Sequence, residues 1–396
     1  MRMNKCKLGD LLYIKQGYVF KSEKYVECSK YRLCTLGNFD SNNDFKFNDA
    51  KATYYSDDFP KEFLLNEGDL VLPLTEQTPG LFGNSAFIPN TSDYQFVLNQ
   101  RVGKVIAKDN ADIVYLHYLL STKLVRDQIE ATASGTKQRN TSPDKIYDVD
   151  VWVPDIKLQN KIGVFFHNFE LKVNNNKHIC SELEEMAKTL YDYWFTQFDF
   201  HDSNGNPYRS SGGAMEWNSQ LKRDVPKGWT ITSLASLTDV LTGKEDANFS
   251  VPNGKYKFFT CAKEATMCDE FAFSGNAVLI AGNGDFNVKH YTGNFNAYQR
   301  TYVLIPYEEK YYAIMYIAAQ NQIQAFKQGS NGSIVKFITK GDVENIPIII
   351  PNNDVYLDTL NRILRKIEHC ERENDELIKL RDWLLPMLMN GQATVE

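Results

Sequence analysis

Residues 155–194 read DIKLQNKIGVFFHNFELKVNNNKHICSELEEMAKTLYDYW, and the fold follows from how that stretch must pack. Leu158, Ile162, Phe165, Phe169, Val173, Ile179, Leu183, Met186, Leu190 and Trp194 recur at steps of mostly three and four. That spacing draws one apolar stripe along a helix. No proline or glycine breaks it after Gly163. At ~1.5 Å per residue the helix runs close to 60 Å, beyond an ordinary globular helix. So thin a stripe on so long a helix requires a partner helix, as in a coiled coil.

Residues 354–389, DVYLDTLNRILRKIEHCERENDELIKLRDWLLPMLM, supply it, with a stripe of Leu357, Leu360, Leu364, Ile367, Cys370, Leu377, Leu384 and Leu388. The two stretches repeat each other. Pro154 and Pro351 precede them, and an offset of 198 relates Phe169 to Ile367, Ile179 to Leu377, Met186 to Leu384 and Leu190 to Leu388. The chain is therefore a repeat of about half its own length.

Working outward, residues 1–153 read as a mixed, β-rich domain. Apolar runs at 69–74, 82–89 and 101–107 are expected strands, and 114–130 has helical period. A polar loop, ASGTKQRNTSPD at 133–144, precedes a strand at 149–153. The order restarts after residue 230. Residues 277–281 form a strand, 283–296 a glycine- and asparagine-rich loop, 302–306 a strand, 311–324 a helix and 346–350 a last strand. Gln299-Arg300 matches Gln100-Arg101. The expected domains are 1–153, a long helix at 154–200, a crossover at 201–229 anchored by aromatics, 230–350, and a second long helix at 351–396. The fold class is α+β: two repeat-related mixed domains separated by two long antiparallel helices with pseudo-twofold symmetry. Asn176 and Asn374 interrupt the two stripes at equivalent places, so in an antiparallel pair they meet and fix the helix register. A local polar break is the competing reading.

The bulk numbers set limits. With 396 residues there is room for two or three domains. No apolar run reaches membrane-spanning length, and no signal peptide is evident, so a cytoplasmic protein is expected. The seven cysteines show no metal-ligand spacing and are expected to be reduced core residues. A net charge of −6 argues weakly against a plain nucleic-acid binder.

A search for catalytic chemistry fails. The phosphate-loop pattern is absent. Ala281-Gly282-Asn283-Gly284-Asp285 lacks the third glycine of a dinucleotide fingerprint, because Asn287 stands there. Asn206-Pro207-Tyr208 is one proline short of an amino-methyltransferase motif, and the six histidines form no cluster. What stands out is a pair of repeat-equivalent loops. The first carries Lys137, Gln138, Arg139 and Asn140, and the second carries Gln328, Asn331 and Lys336. With Lys289, these are the candidate DNA contacts: lysine and arginine neutralise phosphates, and Arg, Asn and Gln pair with base edges.

Taken together, the chain resembles the specificity (S) subunit of type I restriction–modification enzymes over essentially its whole length. The most specific block runs from EEMAKTLYDYWFTQFDF through NGNPYRSSGGAMEWN to VPKGW. The passage from apolar strand through proline into Q-N-K-I, Val151 to Ile162, is also typical of the family. The second copy departs from it, because Gln159 has no match near Leu357.

The resemblance implies two target recognition domains, each reading half of a split DNA sequence, with the helices as ruler and docking site. It implies two methyltransferase subunits that bind S-adenosylmethionine and methylate adenine N6. It also implies two ATP-dependent, Mg-requiring translocase/nuclease subunits. No chemistry or cofactor is expected in this chain. Domains at opposite ends of a rod suit half-sites about 34–36 Å apart, and Phe166, Tyr191 and Tyr193 are the expected partner contacts. The competing functions are a DNA methyltransferase or nuclease with an unrecognised site, and a coiled-coil adaptor without DNA contact.

Overall fold

Two prolines set the frame. Strand Asp150–Val153 ends at Pro154 and strand Pro347–Ile350 ends at Pro351; a long helix follows each. Proline stops the ladder because it has no N–H to give, and it does not hinder a helix that starts just beyond it. The computed structural model describes residues 2–395 except 41–43, 48, 78, 285 and 330–336, with residues 326–329 described through their backbone alone.

The first long helix spans Ile156–Tyr191, 36 residues, and widens into a π turn at Asp192–Thr196, where Gln197 N–H donates to Asp192 O at 2.8 Å. The second spans Val355–Met389, 35 residues, and carries Pro386 inside it. The chain divides into two compact units, Met1–Asn174 with Asp375–Glu396, and Asn175–Asn374. Each long helix contributes residues to both.

Unit 1 is built on a four-stranded antiparallel sheet in the order Leu12–Gln16, Val102–Ala107, Leu70–Pro73, Ala86–Phe87. A second small sheet joins Tyr25–Val26, Tyr54–Tyr55, Tyr31–Cys34 and Gln95–Leu98. Asn4–Lys7 pairs with Asp150–Val153. The main core packs Leu8, Leu12, Leu72, Tyr115, Leu119 and Ile146 against Ile162 and Phe166 of one long helix and Leu388 and Met389 of the other.

Unit 2 uses the same plan. Its six-stranded sheet begins Thr238–Thr242, Thr301–Pro306, Phe273–Ala281, the counterparts of the first three strands of unit 1 in the same order and sense. Thr230–Ser233 pairs with Pro347–Ile350 as Asn4–Lys7 pairs with its strand. Within this unit the long helices run antiparallel. Asn176 meets Asn374, the Cys180 thiol donates to Ile367 O at 3.7 Å, and the Trp194 and Tyr356 rings lie 5.1 Å apart, so one number falls as the other rises. The crossover carries a hairpin, Met215–Asn218 with Arg223–Pro226, and stacks Phe200 between Tyr208 and Trp229.

Three expectations change. The helix read over 114–130 is two, Ile113–Ser121 and Lys123–Thr132. The hydroxyls of Ser121 and Thr122 donate back to Tyr118 O and Leu119 O, and that competition breaks the ladder. The run at 82–89 yields a strand only at Ala86–Phe87. The loop read over 283–296 is mostly strand, Val288–Ala297, whose ladder with Phe273–Ala281 runs through the opposed pair Gly275 and Gly293. Glycine content suggested a turn there, and cross-strand pairing overrides it.

Candidate nucleic-acid interface

A two-residue turn leads into the second strand of each main sheet and is repeated in both units. In unit 1 it carries Gln100 and Arg101; in unit 2, Gln299 and Arg300. Four backbone hydrogen bonds pin each copy. Gly17 N–H donates to Val102 O (3.1 Å), Gln100 N–H to Tyr18 O (2.9 Å), Leu74 N–H to Arg101 O (2.8 Å) and Val102 N–H to Asn99 O (2.9 Å). In unit 2, Gly243 donates to Thr301 (3.0 Å), Gln299 to Glu245 (2.9 Å), Gly282 to Arg300 (2.9 Å) and Thr301 to Tyr298 (2.8 Å). Both anchoring residues must be glycine. A Cβ on Gly17 would lie 2.1 Å from Asn99 O, and one on Gly243 would lie 2.0 Å from Ala297 O. All four Gln and Arg residues are exposed.

In unit 1 the turn borders an open concavity of about 580 Å³, whose polar wall includes Gln16, Thr75, Gln100, Arg101, Gln138 and Asn140. None of its lining residues is acidic, in a chain whose net charge is −6. The overall charge therefore does not describe this surface.

The sequence-predicted residues divide. Gln138 and Asn140 line the concavity. Gln138 Nε2 donates to Asn140 Oδ1 at 3.2 Å, and the Thr75 hydroxyl donates to the same oxygen at 2.8 Å. Lys137 is exposed beside them. Arg139 points elsewhere: its guanidinium meets Glu130 at 2.7 Å and the buried Glu76 at 3.0 Å, and it lies over the Phe82 ring. The Glu130 hydrogen bond leads in raising its pKa, so Arg139 is a loop clamp carrying a fixed charge. Glu76 in turn accepts from the Leu81 and Phe82 amides. Lys289 is half-buried. Its ammonium donates to Thr260 O at 3.0 Å, and burial pushes its pKa down to about 8. Asn331, Lys336 and the Gln328 side chain lie outside the described residues.

The expected partner contacts are corrected. Phe166 and Tyr191 are buried in the cores of unit 1 and unit 2, so neither is open to a partner. Tyr193 is half-buried, its ring edge-on to His201. Large apolar side chains that do stand exposed on the long helices include Val164, Leu171, Met186, Leu380 and Trp383. Periodicity alone could not separate these from the seam, because each helix also packs against its own domain.

One arrangement imitates a catalytic centre. Ser85 Oγ lies 2.9 Å from His117 Nδ1, and His117 Nε2 lies 3.4 Å from Glu170. Yet Ser85 and His117 are almost wholly buried, so no substrate reaches the hydroxyl. The arrangement ties domain to helix. Unit 2 sets a glutamate at the equivalent helix position, offset by 198, with different partners: Glu368 accepts from Tyr312 (2.7 Å) and Thr292 (2.9 Å), and it sits 3.3 Å from His290. Burial opposes the charge on both glutamates. Their partners, led by His117 for Glu170 and His290 for Glu368, outweigh it and hold both carboxyls below the ordinary glutamate value. Among the described residues no group of three or more His, Cys, Asp or Glu could hold a metal ion, and no helix is long and apolar enough to cross a membrane.

The "Type I restriction modification DNA specificity domain" model matches this chain twice, over residues 2–185 and 226–379. The chain belongs to the type I restriction–modification DNA specificity family. Among specificity subunits, the EcoDI subunit of Escherichia coli is 35% identical over 179 residues, 43% of this chain and 40% of that relative's length. The MjaIX subunit of Methanocaldococcus jannaschii is 23% identical over 326 residues, covering 75% and 73% of the two chains. The solved type I S subunit from M. genitalium shares the fold, with a TM-score of 0.61 at 15% identity over 98% of this chain and 96% of that one. The two specificity matches fall on the two repeats, so the turn bearing Gln100-Arg101 and that bearing Gln299-Arg300 are equivalent positions in two copies of one domain.

Proposed function

We propose that the chain is the non-catalytic, sequence-reading subunit of a type I restriction–modification complex. Each specificity domain reads one half of a bipartite duplex target. The observation that carries this is the repeated, pinned Gln-Arg turn, one per domain, set in unit 1 beside an acid-free concavity walled by amide side chains. Arginine and the amides are the side chains whose geometry matches base edges in the major groove. The Ser85-His117-Glu170 chain, with its hydroxyl and imidazole buried, is read as structural.

Methyltransferase and restriction subunits dock on this chain, and S-adenosylmethionine, ATP and Mg belong to them. The exposed apolar side chains of the long helices, Trp383 foremost, suit such docking. The test is a map of N6-methyladenine in the host genome with and without this chain. The expected result is loss of one motif made of two fixed blocks around an unspecified spacer. Tight binding of S-adenosylmethionine by the isolated chain in titration calorimetry would instead mark it as a methyltransferase.

A further inference from the structure

We propose that Arg101 and Arg300 are the base-reading arginines of their respective half-sites, and that Arg139, the most conspicuous arginine in the sequence motif, reads nothing. The inference rests on the DNA-reading function above and goes beyond it by naming the residues that carry specificity.

Availability comes first. Arg139 spends its guanidinium on Glu130 and Glu76. The side chains of Arg101 and Arg300 are exposed and make no ion pair among the described residues, so their donors face solvent. An arginine fork presents five N–H groups in one plane and can satisfy guanine O6 and N7 together.

Rigidity comes second. A phosphate contact tolerates a flexible lysine, since charge alone suffices. A bidentate base contact requires the side chain's root to be held to a fraction of an ångström. Each Gln-Arg turn is held by four backbone bonds and by a glycine that leaves no room for a Cβ. The same geometry appears twice in one chain, on units whose sheets otherwise differ in strand number.

The neighbours come third. Gln16, Gln100, Gln138 and Asn140 share the concavity with Arg101, and Gln and Asn are the side chains that pair with adenine N6 and N7. The two units also differ in a way that sorts their readers. Gln299 Nε2 donates to Asp246 at 2.9 Å, so Arg300 reads with one neighbour already held, whereas no such bond restrains Gln100 among the described residues.

The experiment uses the full chain and a pool of duplexes with randomised sequence, sequencing the fraction bound. Wild type selects two blocks. R101A is expected to blur one block while sparing the other, and R300A the reverse, each lowering affinity for the wild-type site roughly ten- to hundred-fold. R101K should fail to restore the lost block, because lysine keeps the charge and lacks the fork. K137A provides the contrast: a weakening uniform across sequences, with the salt slope reduced by about one. The proposal is overturned if R101A behaves as K137A does, if both blocks survive in R101A and R300A, or if R139A erases a block while its thermal unfolding stays unchanged. A wild-type chain that selects no motif overturns the DNA-reading function itself, and the proposal with it.

Discussion

Each specificity domain ties the start of one of its own helices to a long helix through a buried amide side chain, but the two amides sit one helical turn apart. In unit 1 the buried Gln159 accepts from Asp112 N–H at 3.1 Å and donates to Asn110 O at 3.3 Å and Pro154 O at 3.0 Å. In unit 2 the buried Asn361 accepts from Ala313 N–H at 3.0 Å and donates to Lys310 O at 2.7 Å. At the repeat offset of 198, Gln159 corresponds to Leu357, and Asn361 to Gly163. The polar residue and its apolar or small companion have exchanged places. Positions four apart lie on one helix face, so the exchange keeps the tether in place. A shorter side chain nearer the target replaces a longer one farther off. Both units keep an amide that accepts from one N–H and donates to a carbonyl at the start of a domain helix, and the residue that supplies the amide differs.

The strongest way to break this equivalence is at the buried glutamates. Glu368 takes hydrogen bonds from Tyr312 and Thr292 and pairs with His290. Glu170 pairs with His117 at 3.4 Å and with His167 at 3.9 Å, longer contacts than those at Glu368. Removing either leaves a buried imidazole without its carboxylate, so E368A is expected to cost about 3–5 kcal/mol and E170A less. Urea unfolding of the two variants measures this, and the reverse order would undo the account of unit 2 as the more tightly clamped.

Acid sharpens the same point. Both carboxyls are held below their ordinary value. The stability they contribute is therefore complete above the unfolded-state value of about 4.3 and lost as pH falls through the lower folded-state value. The stability gap between wild type and E368Q should close below pH ~4 and stay constant above pH ~5. A gap that instead closes near neutral pH would overturn this account of the carboxyls.

Next in size are the tethers. Q159A orphans one backbone N–H and two carbonyls, and N361A one of each, at about 1–3 kcal/mol for each variant. L357Q placed in the N361A chain should recover part of the loss, because a glutamine at that position reaches as Gln159 does in unit 1. If L357Q only adds to the damage, the two tethers are separate inventions rather than one tether shifted by a turn.

Much of this was legible in the sequence, and what was not has physical reasons. The long helices, the offset of 198 and the strand–proline–helix passages follow from periodicity and from what proline cannot donate. The Gln159 tether of the second copy was hidden because the comparison was made residue against residue at Leu357, whereas geometry accepts any polar residue on the same face. The ion pairs of Arg139 were hidden for a related cause. Its neighbours in the chain are polar loop residues, but Glu76 and Glu130, which hold it, come from elsewhere. The Gln-Arg turns were visible as a sequence match without a meaning. Their rigidity lies in four backbone bonds each, one of them to Gly17 or Gly243, which no composition reports. Phe166 and Tyr191 lie off the apolar stripes and were expected to face a partner; each fills its own domain's core instead.

The smallest effect concerns the amides in unit 2. Asn176 is buried, and its Nδ2 donates both to Asn374 Oδ1 at 2.9 Å and to Glu373 Oε2 at 2.7 Å. If the repeat-equivalent pair sets helix register, the coupling must run to Asn374, since the counterpart of Glu373 in the first helix is Asn175. A double-mutant cycle with N176A and N374A should then return a coupling of about 0.5–1.5 kcal/mol, and the cycle with E373A a smaller one. Glu373 has the shorter bond and the charge, so on contact strength alone the order would be the opposite. A large Glu373 coupling beside a negligible Asn374 coupling would mean that the helices are aligned by a charge found in one copy only. The symmetry of the two amides would then be inherited without use.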